Sequence, residues 1–529
     1  MDSHYKLAIK NVAKFGDTDI FPFPVENAIF YDKPERVVAL LTAISADFGG
    51  HVDKYPPVNL TSLAPAGYSG FRWATQLDPL WNAYLLSLVI SYADTAEKAR
   101  IPKEDLMVFS YRYAPNQDDG SLFDTSVGWP QFKTRSIDLA DQHTHVLVCD
   151  IADFYQRVYH HRIDNALRHI DDGSHRHKQV MELLSQFSNN VSYGLPIGGP
   201  AARLLAELLL NNSDRLLRSA GLIFTRFVDD YHFFASSKEG AHQALVKISE
   251  TLYVNEGLSL QKSKSRIMTS AEFKASAGLL DEPPDDSGRT SLLRLSLKYD
   301  PYSANPKKDY ADLEKTIDQI DILGLLTQEL NKTRIHGPLT KKLITAIRYL
   351  RTPAREGAVQ TLVRNYELLS PLFGTLAITI RGVYFELDEP TQLSVHTSIC
   401  ALIRERSYII QVDLHLGYAI RILGLRHSAE AEGLLTRAYE STSSPFVRKE
   451  IVLAMSKWRS VHWLSEKKRY FQTMSPWEKR AFVVASYCLG DEGSHWRSHV
   501  KDTFDPFTAL VHEWAGERAE QIRSGKLPL

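Results

Sequence analysis

Two short apolar segments that contain aspartate constrain the fold of this chain more than any other feature. VLVCDI (146–151) has the apolar, β-branched composition of a buried strand, and Asp150 lies near its end. FTRFVDDYHFFA (224–235) predicts two strands around a tight turn that holds Asp229 and Asp230. Aspartate favours turns, so this pair alone indicates a simple hairpin. Adjacent aspartates nevertheless repel one another unless a cation lies between them.

Carboxylates at the ends of neighbouring strands are what a nucleotidyl-transfer site requires. Such a reaction uses two divalent cations about 4 Å apart. Hard cations such as Mg²⁺ bind carboxylate and carbonyl oxygens. Both aspartate segments fit this requirement, and the backbone carbonyl of Ile151 can join the metal shell. We therefore expect two Mg²⁺ ions, with Mn²⁺ as the alternative.

Two further segments are informative only beside the first two. Gly194–Gly198, in VSYGLPIGGP, is a tight loop that opens a helix, and a helix N-terminus with close backbone approach suits a phosphate or a base pair. GLSLQKSKSRIM predicts a short strand that carries Lys264, which could protonate the departing pyrophosphate. Taken alone, the first segment would be an ordinary loop and the second would carry an ordinary surface lysine.

In order and spacing, these four segments resemble motifs A, B, C and D of the reverse-transcriptase palm, over roughly residues 20 to 275. The resemblance implies that Asp150 and Asp229 are metal ligands and that Asp230 is the second motif C carboxylate. It implies that Lys264 is catalytic and that Tyr155 is the steric gate, whose ring clashes with a ribose 2′-hydroxyl. The resemblance also implies further nucleotide-binding residues, namely Arg72 of GYSGFRW as a triphosphate clamp and Pro196, Ile197 and Gly198 in motif B.

One departure from the family pattern points to a particular branch. Templated enzymes usually have glutamine where this motif B has Ile197, so a polar contact near the template–nucleotide pair is missing. DIADFYQRVYHHRIDNAL, FSYR (109–112) and WEKRAFVVASYCLGDEGSHW look like the abortive-infection (Abi) reverse transcriptases of bacterial phage defence, including AbiK-like proteins. That resemblance implies homo-oligomers that build DNA from dNTPs without a template. It also implies that a tyrosine of the protein primes the single-stranded DNA product, which stays covalently attached.

Priming by the protein requires a tyrosine and a path for the product strand. Tyr5 and Tyr31, near the N-terminus, are the candidates for priming. The segment NKTRIHGPLTKKLITAIRYLRTPAR offers basic residues for phosphates and an aromatic ring for stacking; a solvated helix face is the alternative. The residues assigned to this path are Lys341, Lys342, Arg348, Tyr349 and Arg351.

The predicted fold class is α+β, with reverse-transcriptase fingers and palm that lack an ordinary thumb, followed by an all-α, HEAT-like domain. The boundaries are 1–280 for the fingers and palm, 281–307 for a linker and 308–529 for the helical domain. In the first ~130 residues, prolines are expected to break up long helices among strand-like runs. The exception is a helix from about Asp78 to Arg100.

Composition limits the alternatives. Apolar residues make up 44% of the chain, net charge is −1, and the three cysteines are far apart, which is typical of a cytoplasmic protein without a membrane span. The resemblance to Abi enzymes implies that its source is bacterial. A neutral chain lacks the basic excess expected of proteins that grip long duplexes. Two other readings stay open: a templated RNA-directed DNA polymerase, which Ile197 argues against, and a helical-repeat scaffold with a relic palm, which the intact aspartates argue against.

Overall fold

The computed structural model describes residues 1–18, 20–171, 175–278, 292 and 313–526. Contacts between residues divide the chain into two units. The first comprises Met1–Leu60 and Thr75–Leu280, and the second comprises Thr61–Ala74 and Asp281–Leu529. The predicted linker, 281–307, lies outside the described residues.

An antiparallel sheet of four strands forms the centre of the first unit, in the order β4-β5-β3-β6. Aromatic and β-branched residues fill its strands, a composition that favours a pleated, half-buried surface. The register places Asp150 of β3 directly opposite Asp230 of β5. The strands of the first unit's sheet are β3 (His145–Asp150), β4 (Ile223–Phe227), β5 (Asp230–Ala235) and β6 (Arg266–Thr269), and β1 (Leu60–Pro65) and β2 (Phe71–Gln76) form a separate hairpin.

Helices surround this sheet. α5 and α10 pack against each other, and α11 contacts β3 and β5. On another part of the sheet, Leu139 of α6 and Phe273 of α12 pack with Val146 and Phe234 in one apolar cluster. The helices of the first unit are α1 (Asp2–Phe15), α2 (Glu26–Asp32), α3 (Pro34–Ala46), α4 (Phe48–Lys54), α5 (Pro79–Ala99), α6 (Trp129–Gln142), α7 (Phe154–Arg157), α8 (His160–Ile170), α9 (Arg176–Phe187), α10 (Pro200–Ser219), α11 (Lys238–Thr251) and α12 (Ser270–Gly278).

The predicted elements around the aspartates are confirmed, whereas the prediction for the N-terminus is wrong. α5, α10 and strands β3 to β5 lie where the apolar patterns place them. The first ~54 residues, however, are mainly helical. Pro34 begins a helix instead of breaking one, because the first helical position needs no N–H donor and suits the fixed φ of proline.

The second unit is helical throughout its described C-terminal part, residues 313–526. Its first row of helices, each in contact with the next, comprises Gly337–Ala346, Phe373–Val383, Asp413–Leu423, Pro445–Trp458, Pro476–Ala485 and Pro506–Glu517. A second row, also of consecutive contacts, comprises Ile322–Leu330, Ala354–Arg364, Glu389–Arg404 and Ala429–Ser441. Further α-helices among the described residues of this unit are Val461–Lys467, Gly490–Val500 and Ala519–Arg523. Assignment to the HEAT class in particular stays a prediction.

Part of the β1–β2 hairpin belongs to the second unit. The Tyr68 hydroxyl donates to the Leu368 carbonyl over 2.7 Å, and the Ser62 hydroxyl accepts from the Leu414 backbone N–H over 3.1 Å. A segment early in the chain is therefore hydrogen-bonded to residues that follow 300 and 352 positions later. Among the described residues, no helix has both the length and the apolar character needed to cross a bilayer.

Candidate active site

Asp150 is the last residue of β3, and its side chain is mostly buried, with 6% of the residue exposed. The backbone fixes its position from two sides. The Asp150 carbonyl accepts from the Gln261 N–H over 2.7 Å, and the next residue, Ile151, donates its N–H to the Asp229 carbonyl over 3.1 Å. Since Asp150 and Asp230 form a directly opposed strand pair, their side chains project on the same face of the sheet.

Asp229 lies in a two-residue turn between β4 and β5, because Phe227 pairs directly with Asp230. Val228, the first residue of the turn, has a φ of +57°. A positive φ suits the tight turns of hairpins but is strained for a β-branched side chain. The Arg226 guanidinium donates to the Val228 carbonyl over 2.9 Å, and this contact helps to hold the strained turn in place.

The three carboxylates converge as the sequence predicts. Asp150, Asp229 and Asp230 each offer a ligand oxygen, and these oxygens lie within 4.8 Å of one another. Burial, followed by repulsion from Asp150 and Asp230, raises the pKa of Asp229 to about 7. Burial and repulsion from Asp150 raise the pKa of Asp230 to about 6. Oxygen ligands this close, under mutual repulsion, fit Mg²⁺ or Mn²⁺.

Lys264 lies beside this cluster, although not in the predicted strand. It occupies a turn just before β6, since the backbone must reverse to reach the sheet edge beside β3. Its ammonium donates to an Asp150 oxygen over 2.7 Å, and this bond raises the pKa of Lys264. The lysine is thus a countercharge for the cluster, and its part in proton transfer stays a prediction.

The loop before α10 is bonded to the segment after Asp150. The Leu195 N–H donates to the Tyr155 carbonyl over 2.7 Å, and the Gly194 N–H donates to the Val158 carbonyl over 2.8 Å. Gly194 and Gly198 have φ of +100° and +108°, which explains glycine at both positions. Predicted motifs A and B are therefore joined by backbone hydrogen bonds, and Pro196 and Ile197 lie in the loop between these glycines.

Tyr155 lies in α7, and its side chain is partly buried. Burial raises the pKa of Tyr155 well above its usual value, and the negative charge of Asp229 adds to the effect. The sugar selectivity assigned to it stays a prediction.

Sequence reasoning missed a buried ionic network beneath the Asp229–Asp230 turn. The Arg226 side chain, 0% exposed, donates to Asp214 over 2.7 Å and to Glu207 over 2.8 Å. Arg100 also donates to Glu207, over 2.6 Å, and the Tyr231 hydroxyl donates to Asp214 over 3.0 Å. Charged residues inside the apolar helix AARLLAELLLNNSDRLL were the available signal, because buried charges need partners.

The two priming candidates, Tyr5 and Tyr31, differ in how far their side chains are exposed. Tyr5 is 2% exposed and its ring stacks on Tyr84, so its hydroxyl does not fit the role of a primer in this structure. Core packing of α1 against α5 decides this burial, which sequence position alone did not show. Tyr31, at the end of α2, is 64% exposed and fits.

Residues predicted to contact the triphosphate or the product strand lie in the second unit. Arg72 is exposed on β2, in the segment Thr61–Ala74. Tyr349 is 4% exposed and belongs to the core, so the predicted stacking contact is wrong for this structure. Of the basic residues, Lys341 is exposed, Lys342 donates to the Leu292 carbonyl over 3.3 Å, Arg348 is partly buried, and Arg351 pairs with Asp318 over 3.1 Å.

A family model described as "Reverse transcriptase (RNA-dependent DNA polymerase)" matches residues 98–325. This stretch includes the three aspartates, the loop before α10 and Lys264, so the chain carries a reverse-transcriptase-type polymerase domain. No curated protein matches the sequence.

Similar solved structures include two yeast telomerases. Telomerase from Candida albicans, in complex with a fragment of telomeric RNA, is 10% identical with a TM-score of 0.31, over 76% of this chain and 64% of that chain. Apo telomerase from Candida tropicalis is 10% identical with a TM-score of 0.32, over 79% of this chain and 72% of that chain. This chain thus spans slightly less than two thirds of the first telomerase. Similarities of this size say nothing about activity.

Proposed function

We propose that this chain is a nucleotidyltransferase that polymerises dNTPs into DNA. The observation that carries the proposal is the convergence of Asp150, Asp229 and Asp230 to within 4.8 Å in a reverse-transcriptase-type domain. Two bound Mg²⁺ ions would activate the attacking hydroxyl and stabilise the triphosphate and its leaving pyrophosphate. Asp150, Asp229 and the Ile151 carbonyl are the groups that would hold them.

The chain's own residues have separate tasks in this proposal. Tyr155, partly buried in α7 after Asp150, excludes the 2′-hydroxyl of a ribonucleotide. The loop that contains Pro196, Ile197 and Gly198 positions the incoming base and sugar. Lys264, whose ammonium lies 2.7 Å from an Asp150 oxygen, protonates the pyrophosphate as it leaves.

We further propose that synthesis needs no template and begins on a tyrosine of the protein. The apolar side chain of Ile197 supports this proposal, because it cannot make the polar contact that glutamine makes in templated enzymes. Tyr31 is the proposed primer because its side chain is 64% exposed and its phenol can accept a nucleotide without unfolding the N-terminal helices.

The test combines purified protein, Mg²⁺ and labelled dNTPs, with no added template or primer. We expect labelled DNA that stays attached to the protein in denaturant, and a nucleotide-linked peptide that contains Tyr31. Tyr31→Phe should remove the label, whereas Tyr253→Phe, at a tyrosine that is 74% exposed, should retain it. Asp229→Ala should abolish synthesis in every assay.

Other outcomes of the same test contradict parts of the proposal. Product that runs free of the protein, or that requires added RNA, indicates a templated RNA-directed DNA polymerase. Label on a different tyrosine contradicts the choice of Tyr31 alone. Folded wild-type protein that makes no DNA under any of these conditions indicates a scaffold with a relic palm.

In the cell, we propose that a homo-oligomer of this chain works in the bacterial cytoplasm and protects against phage by abortive infection. Its support is the resemblance of motif A and the C-terminal segments to that group. Phage plating on cells that carry the wild-type gene should fall strongly relative to cells that carry Asp229→Ala. Equal plating on both would refute a defence role that depends on synthesis.

A further inference from the structure

Four basic side chains occupy corresponding positions in consecutive helices of the first row of the second unit. Each lies in the last turn of its helix or in the short 3₁₀ turn that extends it, and the four are Arg348, Arg381, Arg421 and Lys457. A cation in the last turn interacts favourably with the helix dipole, which accounts for any one of them. It does not account for four at adjacent helix ends, because like charges there repel one another.

The four groups are close enough to affect one another. Arg348 Nε lies 3.6 Å from the position that a Cβ would take on Gly382, so this guanidinium lies against the helical turn that carries Arg381. Burial and then repulsion from Arg421 lower the pKa of Arg381 to about 10. Burial and then repulsion from Arg381 and Arg421 lower the pKa of Lys457 to about 8.

Few carboxylates lie near these four cations. Glu450 binds Arg421 through both oxygens, at 2.7 and 3.0 Å, and also lies 3.4 Å from the Lys449 ammonium. Within the part of the chain that the structure describes, Arg348, Arg381 and Lys457 have no carboxylate at ion-pair distance. Arg348 Nε is moreover buried and without a hydrogen-bond partner.

We propose that Arg348, Arg381, Arg421 and Lys457 form a binding site for a phosphate-bearing ligand, separate from the three aspartates. Partly buried cations with too few carboxylates are unfavourable unless an anion joins them. Guanidinium groups match phosphate oxygens in bidentate geometry, and the ammonium adds a point charge.

The proposed ligand is a short polyphosphate or a terminal phosphate. The four side chains are partly buried and lie at successive helix ends, whereas a path for a long strand would present exposed cations. A free nucleotide and the 5′-phosphate of an oligonucleotide carry the same chemistry, so either can supply the ligand. The site does not depend on polymerase activity, because it uses none of the residues near Asp229.

Binding of tripolyphosphate to the full chain, in EDTA, tests the proposal by calorimetry and thermal unfolding. We expect saturable binding that weakens with salt, unchanged in Asp229→Asn and at least tenfold weaker in Arg381→Gln and in Lys457→Gln. Arg364→Gln is the matched control, because Arg364 is also in the last turn of its helix but is exposed. It should bind like the wild type.

A second readout separates this role from a purely structural one. Without ligand, Arg381→Gln should raise the unfolding temperature, since it removes repulsion between Arg381 and the other cations. Tripolyphosphate should raise the unfolding temperature of the wild type by most of that difference. If a 5′-phosphorylated oligonucleotide binds more tightly than its 5′-hydroxyl form, the ligand is the terminal phosphate of a strand. If both oligonucleotides bind equally weakly, the ligand is a free polyphosphate. Absence of binding by every phosphate compound, or unchanged binding in both variants, overturns the proposal.

Discussion

Replacement of Asp229 by asparagine should stabilise the protein in the absence of divalent cations. Asparagine keeps the shape of the side chain but removes one of three converging charges. In the folded protein the pKa of Asp229 is about 7, against an ordinary value of 3.8. A carboxyl whose pKa is raised on folding holds its proton more tightly in the folded state than in the unfolded state. The wild type therefore loses stability as pH rises from about 4 to about 7, and the loss is complete above that range.

The size of the effect follows from that pKa. A rise of about 3 units, at about 1.4 kcal/mol per unit, gives about 4 kcal/mol as an upper bound at pH 8. The side chain is partly open to solvent, and its repulsion is shared with Asp230, so roughly 2 kcal/mol is the expected gain in the variant. A domain of this size then unfolds roughly 5 °C higher.

Thermal and urea unfolding at pH 5 and pH 8, with EDTA or with Mg²⁺, measure this directly. In EDTA at pH 8, Asp229→Asn should be more stable against unfolding than the wild type. At pH 5 the difference in stability should be small. Mg²⁺ should raise the stability of the wild type at pH 8 and should have much less effect on the variant. The exposed control Asp53→Asn should change stability by less than about 0.5 kcal/mol. A variant that is less stable than the wild type in EDTA at pH 8 would refute the argument.

Three other substitutions test the surroundings of the carboxylates. Tyr155→Ala should allow ribonucleotides to be incorporated, whereas Tyr155→Phe should still select dNTPs over rNTPs. Incorporation of labelled rNTPs and dNTPs without an added primer measures this selectivity. Unchanged selectivity in Tyr155→Ala would contradict the gate role. Arg226→Met should destabilise the first unit by about 3 kcal/mol, as urea unfolding would show, because it leaves Asp214 buried without its cation and removes one of the two cations that bind Glu207. Lys264→Met should slow synthesis roughly 100-fold by removing the proton donor, yet change stability by less than about 1 kcal/mol because the lysine side chain is 64% exposed. A rate within twofold of the wild type contradicts the assignment of Lys264.

The local sequence determined the parts of the site that lie within single elements. A continuous apolar run predicted the strand that ends at Asp150, and the turn preference of aspartate predicted the hairpin at Asp229. Glycines at 194 and 198 indicated a loop, since only the backbone freedom of glycine suits their positive φ. Motif order then sufficed to predict that these elements would meet, and they do.

Tertiary structure alone decided what depends on residues far apart in the chain. Burial of Tyr5 against Tyr84 and of Tyr349 in the core follows from helix packing, which no local pattern specifies. The network around Arg226 joins residues from a strand and a helix, and the hairpin at residues 61–74 belongs to a unit formed mostly by the C-terminal helices. The physical reason is that periodicity shows which face of an element is apolar, whereas only the assembled chain shows which charges and rings that face meets.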